Sequence, residues 1–121
     1  MTLQELARIL DLEEIGPEGG EIAAAAADGE ITRGYASDLL SDVLANAPTG
    51  GVLVTLQVHL NVIAVASHAG LRAVIFSCGR LPEDDVITRA AEEGLALYGS
   101  KADTFELVGR LYELGLRGNA A

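Results

Sequence analysis

The chain has 121 residues, half of them hydrophobic, and a net charge of −10 from 18 acidic against 8 basic residues. That length has room for one hydrophobic core, so a single domain over 1–121 is expected. The excess negative charge repels phosphate backbones and anionic lipids at long range, which argues against nucleic acid and membrane partners but not against a small nucleotide in a local pocket.

No apolar run approaches the ~20 residues of a membrane span. Cys78 is the sole cysteine, which rules out an internal disulfide and fits a reducing compartment. MTLQELARILDLEE lacks the basic start and long apolar core of a signal peptide. A soluble, cytoplasmic protein is expected.

Thr2-Leu3-Gln4-Glu5 has the pattern of a capping box, in which the Thr and Glu side chains each serve an orphan amide. Leu3, Leu6, Ile9 and Leu10 then share one helical face, predicting a short helix that ends between Asp11 and Glu14. Gly16-Pro17-Glu18-Gly19-Gly20 is a breaker cluster. Glu21 to Tyr35 is ambiguous: Ala23 to Ala27 favour helix, whereas Asp28-Gly29 between two apolar-bearing runs signals a hairpin, the reading adopted. Ser37 or Asp38 caps a helix to about Asn46, with Leu39, Leu40, Val43 and Leu44 inward.

Gly51 to Arg80 is the organising stretch, a right-handed parallel β-α-β unit. Val52 to Val58 reads as a strand buried on both faces. Asn61 to Ala69 is a helix so apolar that both its sides are expected to be covered, one by a partner subunit. Ala73 to Ser77 is the second strand. Pro82 opens the next helix, with Glu83, Asp84 and Asp85 in its first turn and Val86, Ile87, Ala90 and Ala91 inward. Leu95 to Tyr98 is a short strand. Asp103 and Glu106 box the last helix, whose apolar face is Phe105, Leu107, Val108, Leu111, Tyr112 and Leu114. Gly115 ends it, and Arg117 to Ala121 reads as a frayed tail. The fold class is α/β: a mainly parallel sheet flanked by helices, with an N-terminal helix and a hairpin.

In such sheets ligands bind beyond the carboxyl ends of the strands, and those ends are polar here. The first parallel strand delivers Thr55, Gln57, His59 and Asn61, the second Ser77, Cys78, Gly79 and Arg80, the third Ser100, Lys101, Asp103 and Thr104. They are expected to converge on one edge where helix N-termini offer amides to a small anion. Polarity alone favours the plainer use of these residues as helix caps. His59 as general base or metal ligand lacks companions, since His68 is distant and no second cysteine completes a zinc set. A turn-bonding His59 and a small buried Cys78 thiol are the better readings. No GxxxxGK[ST], GxGxxG or GxSxG motif is present, and no cofactor or metal is implied.

Gly34-Tyr35-Ala36-Ser37-Asp38-Leu39-Leu40-Ser41-Asp42-Val43, followed by VTLQVHLNVIAVA, CGRLPEDD and AAEEGLALYGSKADTFELVGRLYELG, resembles the DRTGG domain family over about Glu30 to Gly115. The family's naming motif is not spelled out, and Ser77-Cys78-Gly79-Arg80 stands where many members carry a Thr-Gly-Gly-like turn. DRTGG domains occur beside CBS pairs in certain pyrophosphatases and ahead of the catalytic part of long phosphotransacetylases. They are similar to the N-terminal domain of bacterial HPr kinase/phosphorylase. The resemblance implies an α/β sandwich, self-association and a regulatory role, and supplies no catalytic residues to carry over.

The reading taken is a non-catalytic regulatory module, a homodimer that senses a small anionic ligand or nucleotide or docks a signalling or metabolic protein. The tentative ligand set is Thr55, Gln57, His59, Asn61, Ser77, Gly79, Arg80, Ser100 and Lys101. The alternatives are a small phosphoryl- or acyl-transfer enzyme, which requires His59 at a cavity shared with Arg80, and a pure assembly scaffold.

Overall fold

The computed structural model describes residues 1–16 and 29–119. Short apolar runs whose successive residues face two different cores make the centre of the sheet. In β3 (Val52–Thr55), β4 (Ala73–Phe76) and β5 (Ala96–Gly99) every residue is buried. Val52, Val54, Ala73, Ile75, Ala96 and Tyr98 face one core, and Leu53, Val74, Phe76 and Leu97 face the other. A strand covered on both faces has no need of a polar side, which is why these runs are continuously apolar.

The five strands run in the order β1-β5-β4-β3-β2. β2 (Gly34–Ala36), β3, β4 and β5 are parallel, and β1 (Glu13–Ile15) lies antiparallel on β5 with Glu13 opposite Gly99. The architecture is a three-layer α/β sandwich. Helices α2 (Leu40–Asn46), α3 (Asn61–His68) and α4 (Asp84–Glu92) connect successive parallel strands and cover one face through Val43, Val62, Ile63, Ala66, Val86 and Ala90. Helices α1 (Leu3–Ile9) and α5 (Thr104–Glu113) cover the opposite face through Leu3, Leu6, Leu107 and Leu111. The capping box of α1 is formed as the sequence predicts, with Thr2 Oγ1 accepting from Glu5 N and Glu5 Oε1 accepting from Thr2 N.

Several expectations change. β1 was absent from the sequence reading, since Glu13 and Glu14 are exposed and a three-residue edge strand carries no apolar alternation. The first arm of the hairpin, with the alanine run, lies outside the described residues. The second arm contains β2, which pairs in parallel with β3, while Glu30 makes an isolated antiparallel bridge to Thr2. Ile9, Leu39, Leu44, Phe105, Val108 and Tyr112 were expected inward and are exposed, Phe105 by 91%. Helices of two or three turns lying on a flat sheet bury only a narrow stripe, so each apolar face is wider than its contact.

The tail after Gly115 is tied down at its start. Leu116 is buried, Arg117 pairs in parallel with Arg33, and its amide donates to Thr32 O at 3.1 Å while its carbonyl accepts from Gly34 N at 3.0 Å. On the outer side of α3, Ala64 and His68 are exposed and Val65 is half-buried. No helix among the described residues is long and apolar enough to cross a membrane.

Candidate functional site

The topology fixes where a cleft can open. β2, β3 and β4 each lead into a helix on the same face of the sheet, so the loops leaving them lie side by side. β5 leads instead into α5 on the opposite face. Between β4 and β5 the two exits therefore diverge, and a crevice opens beyond the strand ends, as at the switch point of other open α/β sheets.

That crevice is a cavity of about 550 Å³. The β4 exit lines it with Gly79, Arg80 and Leu81, and the β5 end with Gly99, Ser100, Lys101 and Ala102. Arg110 of α5 contributes from the side. Antiparallel β1 begins where β5 ends, and so brings Leu10, Asp11 and Glu13 to the same rim. Three of the chain's 8 basic residues meet here. Arg80 and Lys101 are exposed, and neither side chain makes a hydrogen bond or ion pair among the described residues. Arg110 shares its Nε with Glu106 Oε1 at 3.1 Å.

The turn at the β4 end is rigidly built. Ser77 is fully buried and its hydroxyl lies 2.6 Å from Thr104 Oγ1. Cys78 and Gly79 follow with φ of 60° and 69°. Their amides donate to Ala102 O and Ser100 O, both at 2.8 Å, and Ala102 N donates to Ser100 Oγ at 3.1 Å. The two loops are thus laced together, and these amides are spent within the protein. Cys78 is exposed, where a buried thiol was expected.

Ser77 does not itself line the cavity, and the other residues of the expected set, Thr55, Gln57, His59 and Asn61, lie at the β3 end and do not line it either. Thr55 is buried, donates from Oγ1 to Asp38 Oδ1 at 2.9 Å and accepts from Gln57 N at 3.1 Å. Leu56 N donates to the same Asp38 oxygen at 2.7 Å, and Gln57 Nε2 donates to Asp38 O at 3.2 Å. Asp38 therefore ties the β2 exit to the β3 exit and leaves the start of α2 without a side-chain cap. His59 Nδ1 accepts from Asn61 N at 3.1 Å, so the imidazole closes its own turn. The start of α5 is also occupied, Asp103 capping it through Glu106 N, whereas α4 opens on Asp84 and Asp85 behind Glu83 without a side-chain cap.

Sequence reasoning reached Gly79, Arg80, Ser100 and Lys101 of the cavity and missed Asp11, Glu13 and Arg110. Arg110 becomes legible only once α5 is known to cross to the other face. Asp11 and Glu13 become legible once β1 is known to run antiparallel to β5.

Beside β2, the Tyr35 hydroxyl donates to Asp42, 2.9 Å from each carboxylate oxygen, and Asn46 Nδ2 donates to Asp42 Oδ1 at 2.9 Å. The bonds from Asn46, Ser37 and Tyr35 hold the Asp42 carboxyl below the usual aspartate range. The Asp42 carboxylate raises the Tyr35 phenol in return, with partial burial adding to it. At the sheet centre, burial and then the charge of Glu14 push the Tyr98 phenol up.

No family model matches the sequence, and no curated protein matches it significantly. Among solved structures the chain is similar to the CBS and DRTGG domains of the regulatory region of a Clostridium perfringens pyrophosphatase, complexed with the activator diadenosine tetraphosphate. The two are 15% identical with a TM-score of 0.71, over 95% of this chain and 47% of that one. The chain thus spans about half the length of that structure. The likeness is one of fold, and that fold is α/β.

Proposed function

We propose that the chain is a non-catalytic regulatory module, acting in the cytoplasm as a homodimer, that senses a small anionic ligand in the cavity between the β4 and β5 exits. The observation that carries this reading is the meeting of Arg80, Lys101 and Arg110 at one cleft of a chain with net charge −10. Long-range repulsion of anions is reversed only where cations are concentrated. The cavity volume falls within the ~300–1,000 Å³ range of small-molecule sites. A nucleotide is the first candidate, in keeping with the nucleotide activator bound by the pyrophosphatase regulatory region.

An enzyme is the weaker reading. It required His59 at the cavity lined by Arg80, and His59 instead closes the α3 turn. The dimer is proposed through the outer face of α5, where Phe105, Val108 and Tyr112 recur at helical spacing and are exposed. A signalling or metabolic protein would read the liganded state.

Thermal unfolding against a panel of nucleotides, cyclic dinucleotides and acyl phosphates tests the sensor. A ligand at 100 times its dissociation constant adds about 2.7 kcal/mol, a shift of several degrees. A flat panel overturns the sensor reading and leaves the assembly scaffold.

A further inference from the structure

The cavity holds carboxylates as well as cations. Asp11 and Glu13 line it together with Arg80, Lys101 and Arg110, and neither makes an ion pair with any of the three among the described residues. A cleft meant for a bare polyanion gains nothing from two carboxylates, which repel the ligand and lower the field of the cations. Opposite charges that do not pair with one another across one cavity suit a ligand that is itself polar in the same sense, anionic at one end and rich in hydrogen-bond donors at the other.

We infer that the cavity selects a nucleoside phosphate over inorganic phosphates, with Arg80 and Lys101 holding the phosphates and Asp11 and Glu13 accepting hydrogen bonds from the nucleoside. This rests on the sensor reading above and adds the direction and selectivity of binding. The placement follows from the fold. Arg80 and Lys101 leave the ends of two parallel strands, while Asp11 and Glu13 come from the α1–β1 junction that flanks β5. Leu10 and Leu81 supply apolar wall for the flat face of a base. Carboxylates are apt partners for ribose hydroxyls and for exocyclic amines, because an ionised carboxylate is acceptor-only. Asp11 stands just beyond α1 with φ of 53°, so its carboxylate is carried on a fixed helix end and not on a loose loop.

The selectivity has a signature that general charge attraction does not share. Neutralising the carboxylates removes repulsion from a bare polyanion while also replacing each charged acceptor of the nucleoside by a weaker amide oxygen beside a competing NH2 donor. Titration calorimetry of the full chain with ADP, pyrophosphate and adenosine, on the parent and on the Asp11→Asn/Glu13→Gln double variant, reads both effects. The expected result is that the parent binds ADP more tightly than pyrophosphate. The variant should bind pyrophosphate about tenfold more tightly and ADP more weakly. Arg80→Ala should weaken both ligands.

If the variant binds ADP and pyrophosphate more tightly by the same factor, or changes neither, the selectivity inference fails while the anion site stands. If the parent binds neither ADP nor pyrophosphate, this inference fails. A flat nucleotide panel in thermal unfolding would then bring down the sensor reading as well.

Discussion

The Thr55 hydroxyl, wholly buried at the end of β3, is held by the carboxylate of Asp38 at the end of β2, with 2.9 Å between Oγ1 and Oδ1. The same oxygen takes the Leu56 amide at 2.7 Å, so one exposed side chain satisfies two donors of the neighbouring strand exit. Asp38→Ala leaves the Thr55 donor buried without its acceptor, at a cost of about 1–3 kcal/mol. A fall of several degrees in the melting temperature is expected. Thr55→Val should cost a similar amount, and the double variant clearly less than the sum, since both remove one bond. Additive losses in a denaturation cycle would contradict the coupling.

The Asp42 carboxyl is held below its ordinary range by Asn46, Ser37 and Tyr35. A lowered folded value means that the unfolded chain takes up its proton first as the pH drops. The stability this gives is complete above about pH 4, the unfolded value. It is lost as the pH falls through the folded one. Tyr35 is shifted upward, so its share is complete below about pH 10 and is lost as the pH rises through its folded value. Melting of the parent and Asp42→Ala should therefore differ at pH 5–8 and converge in acid. An Asp42→Ala deficit that persists unchanged at pH 2 would show that the carboxylate charge is not involved.

The sheet was legible because burial on both faces writes continuous apolar runs at Val52 to Val54 and Ala73–Phe76, and the starts of α1 and α5 because Thr2 and Asp103 are specific caps. Half the site was legible for a related reason: Arg80 and Lys101 lie in the short turns that leave buried strands. The other half was not, because Asp11 and Glu13 reach the cavity through an antiparallel edge strand of three residues. Its polar, exposed sequence resembles any loop. Asp38 misled for a chemical reason. Aspartate before a helix is commonly a cap, and only the tertiary pairing of β2 with β3 puts the Thr55 hydroxyl nearer than the helix amides.

Phe105 is 91% exposed on α5, with Val108 and Tyr112 along the same outer face. The Arg117 guanidinium covers the Tyr112 ring at 3.8 Å, which leaves Phe105 the most exposed apolar group of the stripe. Phe105→Glu removes no buried contact, so the monomer should melt within about 0.5 kcal/mol of the parent. Light scattering at high micromolar concentration should report a dimer for the parent and a monomer for the variant. A monomeric parent would dispose of the dimer, and a variant as dimeric as the parent would move its interface away from α5.

Arg80 offers an exposed guanidinium to the cavity, and that guanidinium makes no hydrogen bond or ion pair among the described residues. Arg80→Ala should therefore leave melting of the unliganded chain nearly unchanged. If a phosphate is held there, the lost charge-assisted bond weakens nucleotide binding roughly tenfold to a hundredfold. Equal nucleotide affinity in parent and variant would take Arg80 out of the site.

Cys78 sits in a backbone conformation that favours glycine. Its φ is 60°, followed by 69° at Gly79, and both amides are needed in that geometry to reach Ala102 O and Ser100 O. A side chain in the left-handed region costs roughly 1–2 kcal/mol, and replacing it by glycine gives back about 0.5–1 kcal/mol through the freer unfolded chain. The first term exceeds the second. Cys78→Gly is expected to raise stability by up to about 1 kcal/mol, and Cys78→Val to lower it, since a β-branched side chain fits this region least. Because the Cys78 side chain is exposed, little packing is lost in either variant. Chemical denaturation of the two variants beside the parent measures both signs. A Cys78→Gly chain less stable than the parent would mean that the thiol makes contacts outweighing the backbone strain.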